Sequence, residues 1–345
     1  MHSKDIVETA VEDLYKELLK NGSDSSFTKS ELNDFSSQAS QNLLKAINFF
    51  FVGDSLVNFN SSQLSNFNKK HKDIWQLQIA LLERYVSFTC WLSEVNASSF
   101  NPEKNYEKEI VLTTVLLNLH ARACLVSKEI LALLNNGFAD AAISRWRTLY
   151  EVSTTLMFIK DNGEKCAIQF YDHNIVDKFN SSKILLEMKN KYPNRLANTT
   201  IDMDNFKELE IRVDELKLKY SKDFVTDYGW VVGFIDYKGR PPGFRAIEKS
   251  VGIDQLQPYA KLANQNLHSS SQSMFYSLSA KGNDQFLNIG NNHIGLETPI
   301  DCTVLILEMI NKTLLNHFKG IDNTISIAVL SYYFNKIRES LQDYK

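Results

Sequence analysis

The chain has 345 residues, is 43% hydrophobic and 23% charged, and carries a net charge of −3. That composition is ordinary for a globular protein with a large core of its own, and it excludes a broad nucleic-acid-binding face, which needs a strongly basic surface. Four widely spaced cysteines, Cys90, Cys124, Cys166 and Cys302, form no C-x-x-C pair, so they read as reduced structural thiols and not as zinc ligands.

Glycine (13) and proline (6) are sparse, so few turns are signalled and the elements should be long helices. Residues 4–20 place Ile6, Val7, Ala10, Val11, Leu14 and Leu18 at helical spacing, with charges between and no apolar signal core. A second helix is predicted over 29–51. A Ser- and Asn-rich stretch at 54–68 reads as a loop or a weak helix start. Helices follow at 72–95 and 105–135. The second of these holds the longest apolar run, interrupted by Asn118, His120 and Arg122, and reads as too short and polar to span a bilayer. "NNG" at 135–137 is a helix stop, with Gly137 free to turn left-handed. The next helix, about 138–160, should pack antiparallel on its predecessor and stop at "DNG". Helical pattern resumes at 164–191 and 203–221. Residues 226–245 hold four glycines and two prolines and form a structured loop. Helices are predicted again near 243–250 and 254–268, then a loop over 279–298, and two last helices at 299–318 and 324–342. The fold class is therefore all-α, an antiparallel helical bundle (residues 105–345) with an added helical N-terminal module (residues 1–100).

The helix "SRWRTLYEVSTTLMFI" (144–159) carries the most chemistry. On a wheel of 100° per residue, Trp146, Leu149, Val152, Leu156, Met157 and Ile159 fall within about 100° of Ala142. Arg147 and Glu151 lie opposite, one turn apart, as a natural charge pair. Two readings follow: a solvated surface pair, or a buried pair, since Phe158 and Thr154 share that face and imply burial on both sides. A buried pair needs further polar partners. Arg145 lies inside the apolar arc, where its stem reaches solvent if it is a surface residue. A second polar group is "YAKLANQNLHSSS", with Asn264 and His268 one turn apart. "HARAC" (120–124) sits mid-helix in an apolar stretch and reads as core, not as a Cys/His catalytic pair. No phosphate loop, dinucleotide fingerprint or H-E-x-x-H helix occurs. No metal and no cofactor is implied.

In these residues the chain resembles a widespread group of bacterial all-helical proteins whose function is unknown. The resemblance rests on R-x-L-x-E after an "NG" turn (Arg147, Glu151), on a Trp-containing loop leading into a short helix (Trp230, Arg245), and on a tyrosine followed by S-x-x-x-H and small residues (Tyr259, His268, Ser269). It covers about 107–280. One position departs: Asn264 stands where the pattern has serine. The architecture is also similar to helical HEPN ribonucleases, although their usual Arg-to-His spacing is not present here.

Three functions follow as expectations. In the first, Arg147 binds a phosphate, His268 is the acid or base and Glu151 orients them, for metal-free RNA cleavage by a toxin-like or antiphage effector. In the second, Arg145, Trp230, Arg245, Tyr259, Asn264 and Ser269 help Arg147 hold a small anionic ligand such as a nucleotide. In the third, the polar residues lock helices together in an interaction scaffold. Apolar helices at both ends predict a homodimer, through the N-terminal module or the last two helices. The chain is expected in the cytoplasm, away from membranes.

Overall fold

The computed structural model describes residues 54–100, 109–268, 290–318 and 321–342, with Gln41 and Ser271 besides. The helices expected at 4–20 and 29–51, and Ser269, lie outside the described residues. Eight α-helices are described, and among these residues no strand forms beyond one isolated bridge between Val232 and Ile235. They are α1 (Asp54–Ser99), α2 (Ile110–Asn135), α3 (Ala139–Lys191), α4 (Met203–Lys219), α5 (Phe244–Ser250), α6 (Gln257–Leu267), α7 (Glu297–Phe318) and α8 (Ile321–Gln342). The fold is all-α.

The chain divides into two compact units, Met1–Asp73 and Ile74–Lys345. In the first, the described residues are Gln41 and the opening of α1, which is helical from Asp54 where the sequence suggested a loop or weak start. The second unit begins at Ile74, inside α1. The sequence put its boundary at residues 100–105, but Trp75, Leu82, Tyr85 and Val86 of α1 are fully buried in the same core as the later helices.

α2 ends as the glycine signal predicts. Gly137 is left-handed (φ 73°), and the Phe138 N–H reaches back to the Leu133 carbonyl at 3.0 Å while Gly137 N–H meets Leu134. This paired closure satisfies the last carbonyls and reverses the chain, so α3 runs back along α2. α2 is apolar and long enough to cross a membrane by length and composition, contrary to the sequence reading. Its fully buried Leu112, Leu116, Ala123, Val126, Ile130 and Leu134 make it a core helix of this bundle.

α3 does not stop at "DNG". It bends there, at Gly163 (φ 74°, ψ −160°), and continues to Lys191. The bend has a use. The next residue, Glu164, accepts hydrogen bonds from the Val111 and Leu112 N–H groups (3.2 and 2.8 Å), capping the start of α2 from another helix. Beyond the bend, Gln169 donates to the Val232 carbonyl (2.7 Å), and the His173 Nε2 lies 2.9 Å from the Thr226 carbonyl. These bonds fasten loop 226–243 to α3. Within that loop a side chain on Gly229 would place its Cβ 2.0 Å from the Phe224 carbonyl oxygen, so only glycine fits.

Candidate functional site

The opening turns of α3 are buried on two sides. Trp146, Leu149, Leu156 and Ile159 are fully enclosed, and so are Thr154 and Phe158 on the other face. That second face receives α5 and loop 226–243. Arg147 points into this junction. Its side chain is only 13% exposed, while Glu151 is 44% exposed. Arg147 Nη2 and Glu151 Oε1 pair at 2.9 Å, one turn apart on α3. A second carboxylate, Glu248 of α5, is 5% exposed and lies 3.8 Å from Nη1. That distance gives charge attraction but no hydrogen bond.

Two rings complete the surroundings. The guanidinium carbon sits 4.8 Å from the Phe244 ring centre and 5.3 Å from that of Tyr150. Such contacts contribute about 0.5–2 kcal/mol each, more where water is excluded. Tyr150 and Phe244 meet edge to face, and Tyr228 leans on Phe244 from the loop. Burial raises the Tyr150 hydroxyl pKa, with the nearby Glu248 charge adding to it. Burial also raises that of Tyr228, with Glu151 next in effect. Both phenols therefore stay protonated. Arg147 Nε and Nη1 are buried without a hydrogen-bond partner. The cation is thus held by charge and by aromatic faces more than by hydrogen bonds.

Glu248 was missed from the sequence, although a signal was there. Phe244, Ile247, Glu248 and Val251 share one face of the α5 turns, at spacings i, i+3, i+4 and i+7. A glutamate on an apolar stripe must find a cation.

The other predicted site residues go elsewhere. Arg145 pairs across to Glu129 of α2 and donates to Thr148 Oγ1 at 3.3 Å, so it ties α2 to α3 instead of reaching freely for solvent or a ligand. Trp230 is 4% exposed and meets Phe158 and Phe170 edge to face, with ring centres 5.6 and 5.0 Å away. It is core, with no free face for a base to stack on. Arg245 is exposed and donates to Gln257 Oε1 at 3.3 Å, joining α5 to the start of α6. Tyr259 is 39% exposed and lines a small cleft of about 200 Å³ with Asp301 and Arg338. Asn264 is half-buried, and its carbonyl accepts the His268 N–H at 3.0 Å.

His268 is exposed at the C-terminal cap of α6. Near that end, Asn266 donates to Asp140 at the first turn of α3 (3.2 Å). Asp140 and Arg147 are separated by two turns of α3, about 10 Å of helix axis. The structure therefore brings Arg147, Glu151 and Glu248 together. His268 sits at the opposite end of α6 from the junction with α5. Among the described residues, no group of three His, Cys, Asp or Glu side chains is placed to hold a metal ion.

An all-α bundle with a buried arginine clamped between two carboxylates and two rings defines the class. The chain belongs to a family of unknown function, DUF5677, whose profile matches residues 113–286, half of its length. The match spans α2 to α6 and so contains the clamp. Comparison with curated proteins and with solved structures returned no match.

Proposed function

We propose that the chain is a helical interaction protein in which the Arg147 cluster fixes the fold and performs no chemistry. The observation that carries this reading is the occupancy of Arg147: two carboxylates and two aromatic rings already surround its guanidinium. An anion entering there would meet a local excess of negative charge and would have to displace a buried carboxylate. The exposed position of His268, near Asp140 and away from α5, supports the same reading. The compartment proposed is the cytoplasm, which suits four cysteines that are all free and buried.

The rival is RNA cleavage by Arg147, Glu151 and His268, and one experiment separates the two. The purified full chain is incubated with total RNA, and wild type and His268→Ala are expressed in cells whose growth and RNA integrity are followed. Intact RNA and equal growth are expected for both. RNA breakdown by wild type, lost in His268→Ala, would overturn the interaction reading.

A further inference from the structure

α1 leaves one face uncovered. Trp91 (51% exposed), Leu77 (60%) and Val95 (42%) are large apolar residues open to solvent in the second unit. They do not stand singly. On a wheel of 100° per residue, Leu77, Ala80, Leu81, Ser87, Phe88, Trp91 and Val95 all fall within about 60° of Arg84. The opposite face of the same helix, with Trp75, Leu82, Tyr85 and Val86, is in the core. Phe88 and Trp91 stack on one another with ring centres 5.4 Å apart and planes 17° from parallel. The stripe runs about 27 Å, at 1.5 Å per residue from Leu77 to Val95. Leu125 of α2, 49% exposed, follows Cys124, whose thiol lies 3.9 Å from the Thr89 carbonyl of α1.

A contiguous apolar stripe of this kind marks an interface. Its charges say which. The stripe holds one cation, Arg84, at its centre and one anion, Glu94, at its edge. Both are exposed, and neither has an ion-pair partner among the described residues. A surface carrying one charge of each sign is complementary to itself when turned end for end. We propose that α1 pairs antiparallel with α1 of a second copy of this chain, Arg84 of each copy meeting Glu94 of the partner subunit.

The orientation follows from the same residues. Parallel pairing would set the two Arg84 side chains against each other at the centre of the seam, where like charges repel and lose solvent. Antiparallel pairing about the level of Thr89 brings Arg84 to the level of the opposite Glu94, twice, and crosses the Phe88–Trp91 stacks between them. Aromatic side chains at the centre with a polar rim is the anatomy of a specific interface. The proposal deepens the interaction reading above by naming the partner. It is tested on molecular mass, whereas that reading is tested on RNA, so each can fail alone.

The experiment is sedimentation equilibrium of the full chain at micromolar concentrations. Wild type is expected at twice the monomer mass of 39.5 kDa. Trp91→Glu, at an exposed position, should sediment as a monomer with unchanged far-UV circular dichroism. Arg84→Glu should weaken the dimer about tenfold or more, and Arg84→Glu with Glu94→Arg should restore it. Wild type that stays monomeric overturns the proposal. So does a dimer indifferent to Trp91→Glu, or to Arg84→Glu, since association would then run through another surface or another register.

Discussion

Two buried polar clusters in this bundle solve the same problem differently. At the junction of α3 and α5, a full positive charge is placed against Glu151 and Glu248, with two of its nitrogens left without hydrogen bonds. Between α1, α2 and α7, the polar groups at the centre are neutral and linked in series. His120, fully buried, has Nε2 2.8 Å from Asn311 Oδ1, and Asn311 Nδ2 donates to Thr89 Oγ1 at 2.9 Å. The one carboxylate nearby, Glu308, accepts from Tyr85 (2.7 Å) and Ser331 (2.8 Å) and pairs with half-exposed Lys312 at 2.7 Å. Burial holds the His120 imidazole neutral, with its pKa pushed down to about 4. The neutral chain avoids desolvating a charge and needs only hydrogen bonds. The arginine cluster accepts that desolvation and offsets it with Coulomb attraction and aromatic faces. The comparison predicts that breaking the charged cluster costs more than breaking the neutral one, and that the neutral one responds to mild acid through His120.

The largest effect is expected at Arg147. Arg147→Ala strands Glu248, a buried carboxylate, and should lower unfolding stability by about 3–5 kcal/mol in a urea titration. Adding Glu248→Gln should return a good part of it. A single-variant loss below 1 kcal/mol would mean that solvent already screens the pair, and the contrast between the clusters would vanish. Next comes Asn311→Leu, which takes the Asn311 amide away from both His120 Nε2 and the Thr89 hydroxyl inside the core. The expected cost is about 1–3 kcal/mol. A larger loss than at Arg147 would reverse the ranking.

Acid supplies the third test. The folded pKa of His120 lies below the ordinary imidazole value of 6.5, so the unfolded chain takes up the proton first. The stability that neutral His120 contributes is complete above pH 6.5 and is lost as the pH falls toward 4. At pH 5 the loss is about 2 kcal/mol. Urea titrations at pH 7 and pH 5 on wild type and His120→Gln measure it as the difference in slope with pH. Identical pH dependence in the two proteins would show that His120 is not the group involved. The smallest effects belong to the half-exposed carboxylates: Glu151→Gln and Glu129→Gln should each cost about 1 kcal/mol or less. A larger loss for Glu151 would make it, not Glu248, the main partner of Arg147.

The arginine cluster also shows how far a sequence reading reaches. Periodicity alone marked Arg147 and Glu151 as one turn apart, and Phe158 and Thr154 argued that this face is covered, as it is. The covering element was less legible. α5 is seven residues long, too short for a strong helical pattern, and its Glu248 is separated from Arg147 by about a hundred residues. Trp230 failed as a candidate for a related reason: a tryptophan in a glycine-rich loop looks available, but α3 folds Phe158 and Phe170 over it. His268 and Arg147 share a resemblance pattern, but His268 caps the C-terminal end of α6 near Asp140, two turns of α3 before Arg147, because chain order within a motif does not fix distance.

The sequence by itself determined what local chemistry controls. Sparse glycine and proline with apolar residues every three to four positions gave the helices, and "NNG" gave the Gly137 reversal, since backbone conformational limits act within a few residues. Tertiary structure alone decided the rest. It turned the "DNG" stop into a bend, because Glu164 is drawn to the open N–H groups of α2. It assigned the second half of α1 to the core, sent Arg145 to Glu129, and put Glu248 beside Arg147. Each of these depends on which charges and orphaned backbone groups meet once water has been excluded, and that meeting is set by packing across the whole chain.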